Sequence, residues 1–180
     1  NWKNSKRIFK RKYNYMKDYP YKLSKEVEKA IKDASPIVSL ETTIISHGMP
    51  YPENYKTALE VEQIIRKNGS TPATIGIIEG EIKIGMTEKE IMFFSKNNNI
   101  HKVSRRDIPF IISSKKNGAT TVAGTIILSN LAGIKIMATG GIGGVHREAS
   151  NSFDISADLQ ELSKTNVSVI CSGPKSTHVR

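Results

Sequence analysis

Ile134-Lys-Ile-Met-Ala138, Asp154-Ile-Ser-Ala-Asp-Leu-Gln-Glu-Leu-Ser163 and Val167-Ser-Val-Ile-Cys171 succeed one another as an apolar run, a helix-patterned run and a second apolar run. The glycine-dense loop Ala138-Thr-Gly-Gly-Ile-Gly-Gly-Val-His-Arg147 leaves the first run, and Ser172-Gly-Pro-Lys175 leaves the last. Strand, helix and strand at this spacing predict an α/β fold, whose ligands gather outside the carboxyl ends of the strands. Lys175 falls at such an end. Desolvation there lowers a lysine's pKa and frees its amine for attack on carbon.

The same alternation extends upstream. Ser24 is placed to cap a helix reaching Ala34, with Leu23, Val27, Ala30 and Ile31 on one face. Ile37 to Leu40 reads as a short strand, and Asn54 to Lys67 as a helix with Ala58, Val61, Ile64 and Ile65 inward. Ala73 to Ile78 and Glu81 to Ile84 predict a β-hairpin around Glu79-Gly80. Thr87-Glu-Lys-Glu90 is a capping box opening a helix to about Asn97. Ile100 to Ser104 and Phe110 to Ser113 read as strands with Asp107 and Pro109 in the turn between them. Thr120 to Ala123 leads into a helix from Thr125 to Leu131. The expected architecture is an α/β/α sandwich around a mixed, mainly parallel sheet carrying one hairpin.

The 180 residues suffice for one well-buried domain, and 38% hydrophobic with 24% charged residues describes an ordinary globular chain. No apolar run reaches the length of a membrane span. The single cysteine, Cys171, excludes an intramolecular disulfide. The net charge of +10 is unevenly spread: Asn1 to Lys22 hold eight Lys or Arg against one Asp, a net of +7. Residues 1–22 therefore read as a basic extension, which is more often solvated than a recognition surface. Aromatics interleave with its basic residues, so binding of single-stranded RNA by a non-catalytic protein stays open as an alternative.

Several side chains carry candidate chemistry. Glu41, at the end of the Ile37 to Leu40 strand, is either a general acid or a solvated loop carboxylate. Lys102 lies in a basic strand able to hold a phosphate, or is an ordinary surface lysine; Arg105 and Arg106 read as surface charge. Gly140, Gly141, Gly143 and Gly144 let backbone approach an anion, and His146 and Arg147 follow with further phosphate contacts in reach. Asp154 and Asp158, four apart on the expected helix, form one acidic face suited to Mn²⁺ or Mg²⁺; a helix cap is the competing reading for Asp154.

Glu41-Thr-Thr-Ile-Ile-Ser-His-Gly-Met-Pro50, the loop Ala138 to Arg147 and Phe153-Asp-Ile-Ser-Ala-Asp-Leu-Gln-Glu-Leu162 resemble the pseudouridine-5′-phosphate glycosidases, the family that includes indigoidine synthase A-like proteins. The resemblance runs from about Leu23 to Lys175. It implies reversible cleavage of pseudouridine 5′-phosphate to uracil and ribose 5-phosphate through a lysine Schiff base. The implied roles are proton donor for Glu41, nucleophile for Lys175 and metal ligand for Asp154, with Mn²⁺ as the expected ion. Lys102, Val122, Ser156, Ala157 and Asp158 match substrate-binding positions, and His146, following the glycine loop, is counted with them as a substrate-binding candidate. The family continues well beyond its lysine. Residues 23–180 are therefore expected to be the N-terminal portion of the domain, with the C-terminal part of the family fold missing. A cytoplasmic homotrimer is implied, with organellar targeting by the basic N-terminus left open. The rival enzymatic reading is another Schiff-base lyase or aldolase acting on a sugar phosphate.

Overall fold

The computed structural model describes residues 19–145 and 149–174. Lys175, His146, Arg147 and residues 1–18 lie outside the described residues. Eight strands alternate with seven helices among those described. The strands are β1 (Tyr21–Leu23), β2 (Ile37–Leu40), β3 (Thr71–Ile78), β4 (Glu81–Ile84), β5 (His101–Val103), β6 (Gly118–Thr120), β7 (Ile136–Ala138) and β8 (Ser168–Ile170). The helices are α1 (Lys25–Asp33), α2 (Glu53–Lys67), α3 (Glu88–Lys96), α4 (Ile108–Ser113), α5 (Val122–Leu131), α6 (Ala149–Ser152) and α7 (Ala157–Lys164); a π-helical turn spans Ile44–Gly48.

The sheet is mixed and mainly parallel, in the order β1-β4-β3-β2-β7-β8. β2 runs parallel to β3 and β7, and β7 parallel to β8. The hairpin supplies the antiparallel β3–β4 pair. Its turn residues Glu79 and Gly80 both have positive φ, at 50° and 79°, as a tight hairpin turn requires. β3 is long enough to branch. Its first half pairs with β2, while Gly76 and Ile77 pair antiparallel with β6, which is parallel to β5. The carboxyl ends of β2 and β6 therefore meet head to head beside the middle of β3. Four hydrogen bonds close this fork. Thr42 Oγ1 and Thr120 Oγ1 both donate to the Ile75 carbonyl, at 2.8 and 2.7 Å, and the Thr120 and Thr42 amides donate across the junction.

Alternation along β3 decides which helices cover which face. Ala73, Ile75 and Ile77 join Val27 of α1, Ile108 and Ile111 of α4 and Leu128 of α5 in one core. The opposite face carries Ile45 of the π-turn with Ile91 and Phe94 of α3, flanked by Ala58 and Leu59 of α2. Helices thus cover both faces, as an α/β/α sandwich demands, and each buried Ile or Leu contributes roughly 1.5–3 kcal/mol. Among the described residues no helix is long and apolar enough to cross a membrane.

The caps form as their residues dictate. Ser24 Oγ accepts from the Val27 amide at 3.1 Å, and Thr87 and Glu90 complete both halves of the capping box. Leu23, however, is in β1 rather than on the α1 face, and the sheet takes in Tyr21 and Lys22 of the basic extension. Ile64 is exposed, because α2 turns the buried Glu62 inward instead, where it accepts from Thr74 Oγ1.

Three expected elements are corrected. Phe110 to Ser113 is not a strand but most of α4. Pro109 fits a helix's first turn, and Ile108 and Ile111, three apart, share the buried face while Phe110 stays out with the Lys116 ammonium over its ring. α5 starts at Val122, not Thr125, because Thr121 Oγ1 caps it by accepting from the Gly124 amide at 3.3 Å. α7 starts at Ala157, not Asp154, because Ser156 is its cap and accepts from the Asp158 amide at 3.2 Å.

Candidate active site

The fork in the sheet brings Glu41 beside the start of the glycine loop. Glu41 is the first residue after β2 and Thr139 the first after β7; since Leu40 pairs with Ala138, the two are neighbours across the parallel ladder. The Thr139 hydroxyl donates to Glu41 Oε1. Glu41 is buried, so the reading of a solvated loop carboxylate fails. It lines a cavity of about 300 Å³ together with Leu40, Ile44, Val61, Thr139 and Gly140.

The glycine loop leaves Thr139 and turns back against α7. Asp158 holds it there: Oδ2 accepts from the Gly143 amide and Oδ1 from the Ala123 amide, both at 2.8 Å. One buried carboxylate thereby ties the loop to the first turn of α5, beside Val122. Gly143 has no room for a side chain, because an added Cβ would lie 2.1 Å from Ser156 Oγ and 2.6 Å from its Cβ. The Ser156 amide donates to the Gly144 carbonyl at 3.1 Å, so Ser156, Ala157 and Asp158 run directly beside the loop.

Asp154 does not share a helix face with Asp158, contrary to the spacing argument. It lies in the segment before α7, where the next residue, Ile155, bridges Val145. Asp158 in turn has each of its oxygens engaged by a backbone amide. Among the described residues no three His, Cys, Asp or Glu side chains stand together as a metal site. Among the described residues Asp154 is the carboxylate that the sequence assigns to a metal, and an oxygen ligand of this kind suits a hard, water-rich cation.

Lys102 projects from β5 beside the π-turn. Thr43 Oγ1 of the residue preceding that turn donates to the Ala119 carbonyl opposite Lys102, and the turn itself is pinned by Asn54, whose amide donates to the carbonyls of Ile45 and Ser95. His47 of the turn has its imidazole pulled below the ordinary histidine range, first by partial burial and then by the Lys102 charge. The neutral ring is thus favoured. Removing the charge in Lys102→Ala is expected to raise the His47 pKa, which an NMR titration of the His47 ring would register. An unchanged titration would place the ammonium away from the turn.

Sequence patterns missed two of these contacts. Thr139 was an unremarked member of the glycine block. Arg105, read as surface charge, forms a bidentate pair with Glu161 of α7, whose side chain is fully buried. That bond raises the Arg105 pKa and anchors α7 to the loop after β5. Arg106 does remain exposed.

Residues 26–178 match the family described as indigoidine synthase A like protein. Pseudouridine-5′-phosphate glycosidase of Clostridium botulinum is 61% identical over 155 residues, covering 86% of this chain and 50% of that protein. The protein of the same name from Escherichia coli is 59% identical over 155 residues, again 86% of this chain and 50% of the relative. The chain spans about half the length of the curated relatives it matches. Among solved structures, prealnumycin C-glycosynthase AlnA in complex with ribulose 5-phosphate superposes with a TM-score of 0.79 at 39% identity, over 86% of this chain and 50% of that one. An indigoidine synthase A-like protein of Thermotoga maritima gives 0.77 at 35% identity, over 87% of this chain and 50% of that one.

Proposed function

The chain belongs to the indigoidine synthase A-like protein family, and on that premise we propose that its chemistry is reversible cleavage of pseudouridine 5′-phosphate to uracil and ribose 5-phosphate. The observation that carries this reading is the 61% and 59% identity to relatives of that name, each over 155 residues of this chain. The likeness to a C-glycosynthase solved with ribulose 5-phosphate agrees with carbon–carbon bond chemistry at a sugar phosphate.

The bond to be broken joins ribose C1′ to carbon 5 of uracil, so no easily protonated heteroatom departs. Hydrolysis by paired carboxylates transfers poorly to such a bond, whereas covalent catalysis by lysine suits it. Glu41 passes a proton to the ribose ring oxygen as the ring opens. The Lys175 amine attacks C1′, and the electron pair of the C–C bond departs with uracil, whose carbon 5 takes up a proton. The resulting imine between Lys175 and ribose 5-phosphate is hydrolysed by water, restoring the amine. Lys102 and His146 bind the substrate, with Lys102 a compact charge for its phosphate. Val122, Ser156 and Ala157 line the substrate beside the glycine loop. Asp158 contributes by fixing the amides of Ala123 and Gly143 rather than by its occupied carboxylate oxygens. Asp154 would hold Mn²⁺, which supplies positive charge and ordered water when bound. The assembly implied by the family is a homotrimer.

Uracil release from pseudouridine 5′-phosphate tests the proposal. The full protein is expected to release uracil, to stop with EDTA and to recover with Mn²⁺. Full uracil release by a Glu41→Gln variant would remove Glu41 from the chemistry, and turnover of other sugar phosphates without pseudouridine 5′-phosphate would favour a different Schiff-base lyase.

A further inference from the structure

We propose that Thr139 is the positioning residue of Glu41, setting the direction in which the carboxyl group delivers its proton. The proposal rests on Glu41 being the proton donor. Thr139 is fixed on both sides. Its backbone amide donates to the Ile170 carbonyl of β8 at 3.0 Å, and its hydroxyl crosses back over β7 to Glu41 Oε1. The Gly141 carbonyl, at 3.4 Å from the same hydroxyl, is the weaker competing acceptor.

Three features make this more than a packing contact. First, the parallel pairing of Leu40 with Ala138 places Glu41 and Thr139 as the next facing residues, so the contact is dictated by register. Secondly, β-branched threonine has few side-chain rotamers, which holds the hydroxyl in place without help from solvent. Thirdly, Thr139 opens the glycine loop that Asp158 secures to α5, so the proton donor and the substrate-facing loop are located by one residue. A carboxyl group turns easily about its last bond, and a proton donor misdirected by even a small rotation loses rate rather than affinity.

The test compares Thr139→Val, which keeps the branched shape and removes the donor, with Thr139→Ser, which keeps the donor. In uracil release by the full protein, Val is expected to lower kcat about 10–100-fold with KM within about twofold. Ser is expected to recover most of that loss. In a Glu41→Gln background the Val substitution is expected to add nothing, because its whole effect passes through Glu41. Parent kcat in Thr139→Val, a Ser variant no better than Val, or a full additional loss in the Glu41→Gln background each overturns the proposal. Parent kcat in Glu41→Gln alone instead overturns the proton-donor reading on which it stands. Should Val fail to fold, Thr139→Ala carries the same comparison against Ser.

Discussion

Borohydride added while the full protein turns over ribose 5-phosphate and uracil is expected to fix a single sugar-phosphate adduct on Lys175. Lys175→Ala is expected to lose at least ~1000-fold in kcat, about 4 kcal/mol of barrier. The effect should be this large because the lysine forms the bond that carries the reaction, so nothing else in the site substitutes for it. The described chain leads directly to it. β8 runs parallel to β7, and beyond its end the Gly173 carbonyl accepts from the Ile142 amide at 3.1 Å, with Pro174 bridged to Ile142. The residue before Lys175 therefore sits against the glycine loop at Ile142, next to Gly143, which Asp158 holds. Peptide mapping by mass spectrometry locates the adduct. Lys102 is the informative alternative, an exposed lysine on β5 at the other side of the fork. An adduct there, or none while uracil synthesis continues, overturns the assignment.

How much of this was legible in the sequence depended on whether a signal is local. Ser24, the Thr87 to Glu90 box and Glu79-Gly80 act within a few residues of themselves, and each produced the element expected of it. α4 was misread because six residues hold little more than one helical turn and a half. Over so short a run, Ile-Pro-Phe-Ile-Ile-Ser satisfies a strand pattern as well as a helical one. The start of α7 was misread for a different reason. Phe153-Asp and Ser156 both offer a capping residue before a helical pattern. The positive φ of Phe153 and the Val145–Ile155 bridge, neither visible beforehand, decide for Ser156. In the site, the motif blocks singled out Glu41, the glycine loop and the Ser156 to Asp158 segment, and the fold brings these three together. They could not show that Asp158 spends its oxygens on the amides of Ala123 and Gly143, because every residue but proline offers an amide and none advertises it. The Thr139–Glu41 contact was equally hidden, since it arises from strand register and not from spacing along the chain.

Asp158→Asn is expected to cost about 3 kcal/mol of folding stability although it changes the side chain's size hardly at all. The carboxylate meets two backbone donors, the amides of Ala123 and Gly143, each at 2.8 Å. A carboxamide has one oxygen and one NH₂ group, so whichever way it turns, one amide N–H faces another N–H. Hydrogen bonds to a charged group are worth roughly 1.5–3 kcal/mol, and a buried donor left without an acceptor bears its full desolvation penalty. The lost negative charge also stood at the first turn of α5, where the helix dipole favours it. Repacking offers little relief, because Ser156 Oγ and Asp158 Oδ2 already crowd the position above Gly143. A loss of this size is a large part of a typical domain's stability, so urea unfolding should show a clearly lowered midpoint. Hydrogen exchange separates the proposed cause from general weakening. The Ala123 and Gly143 amides should lose protection well beyond that of the β3 amides in the same variant. Uniform loss of protection, or a stability within about 0.5 kcal/mol of the parent, would show that the glycine loop is held by contacts other than Asp158.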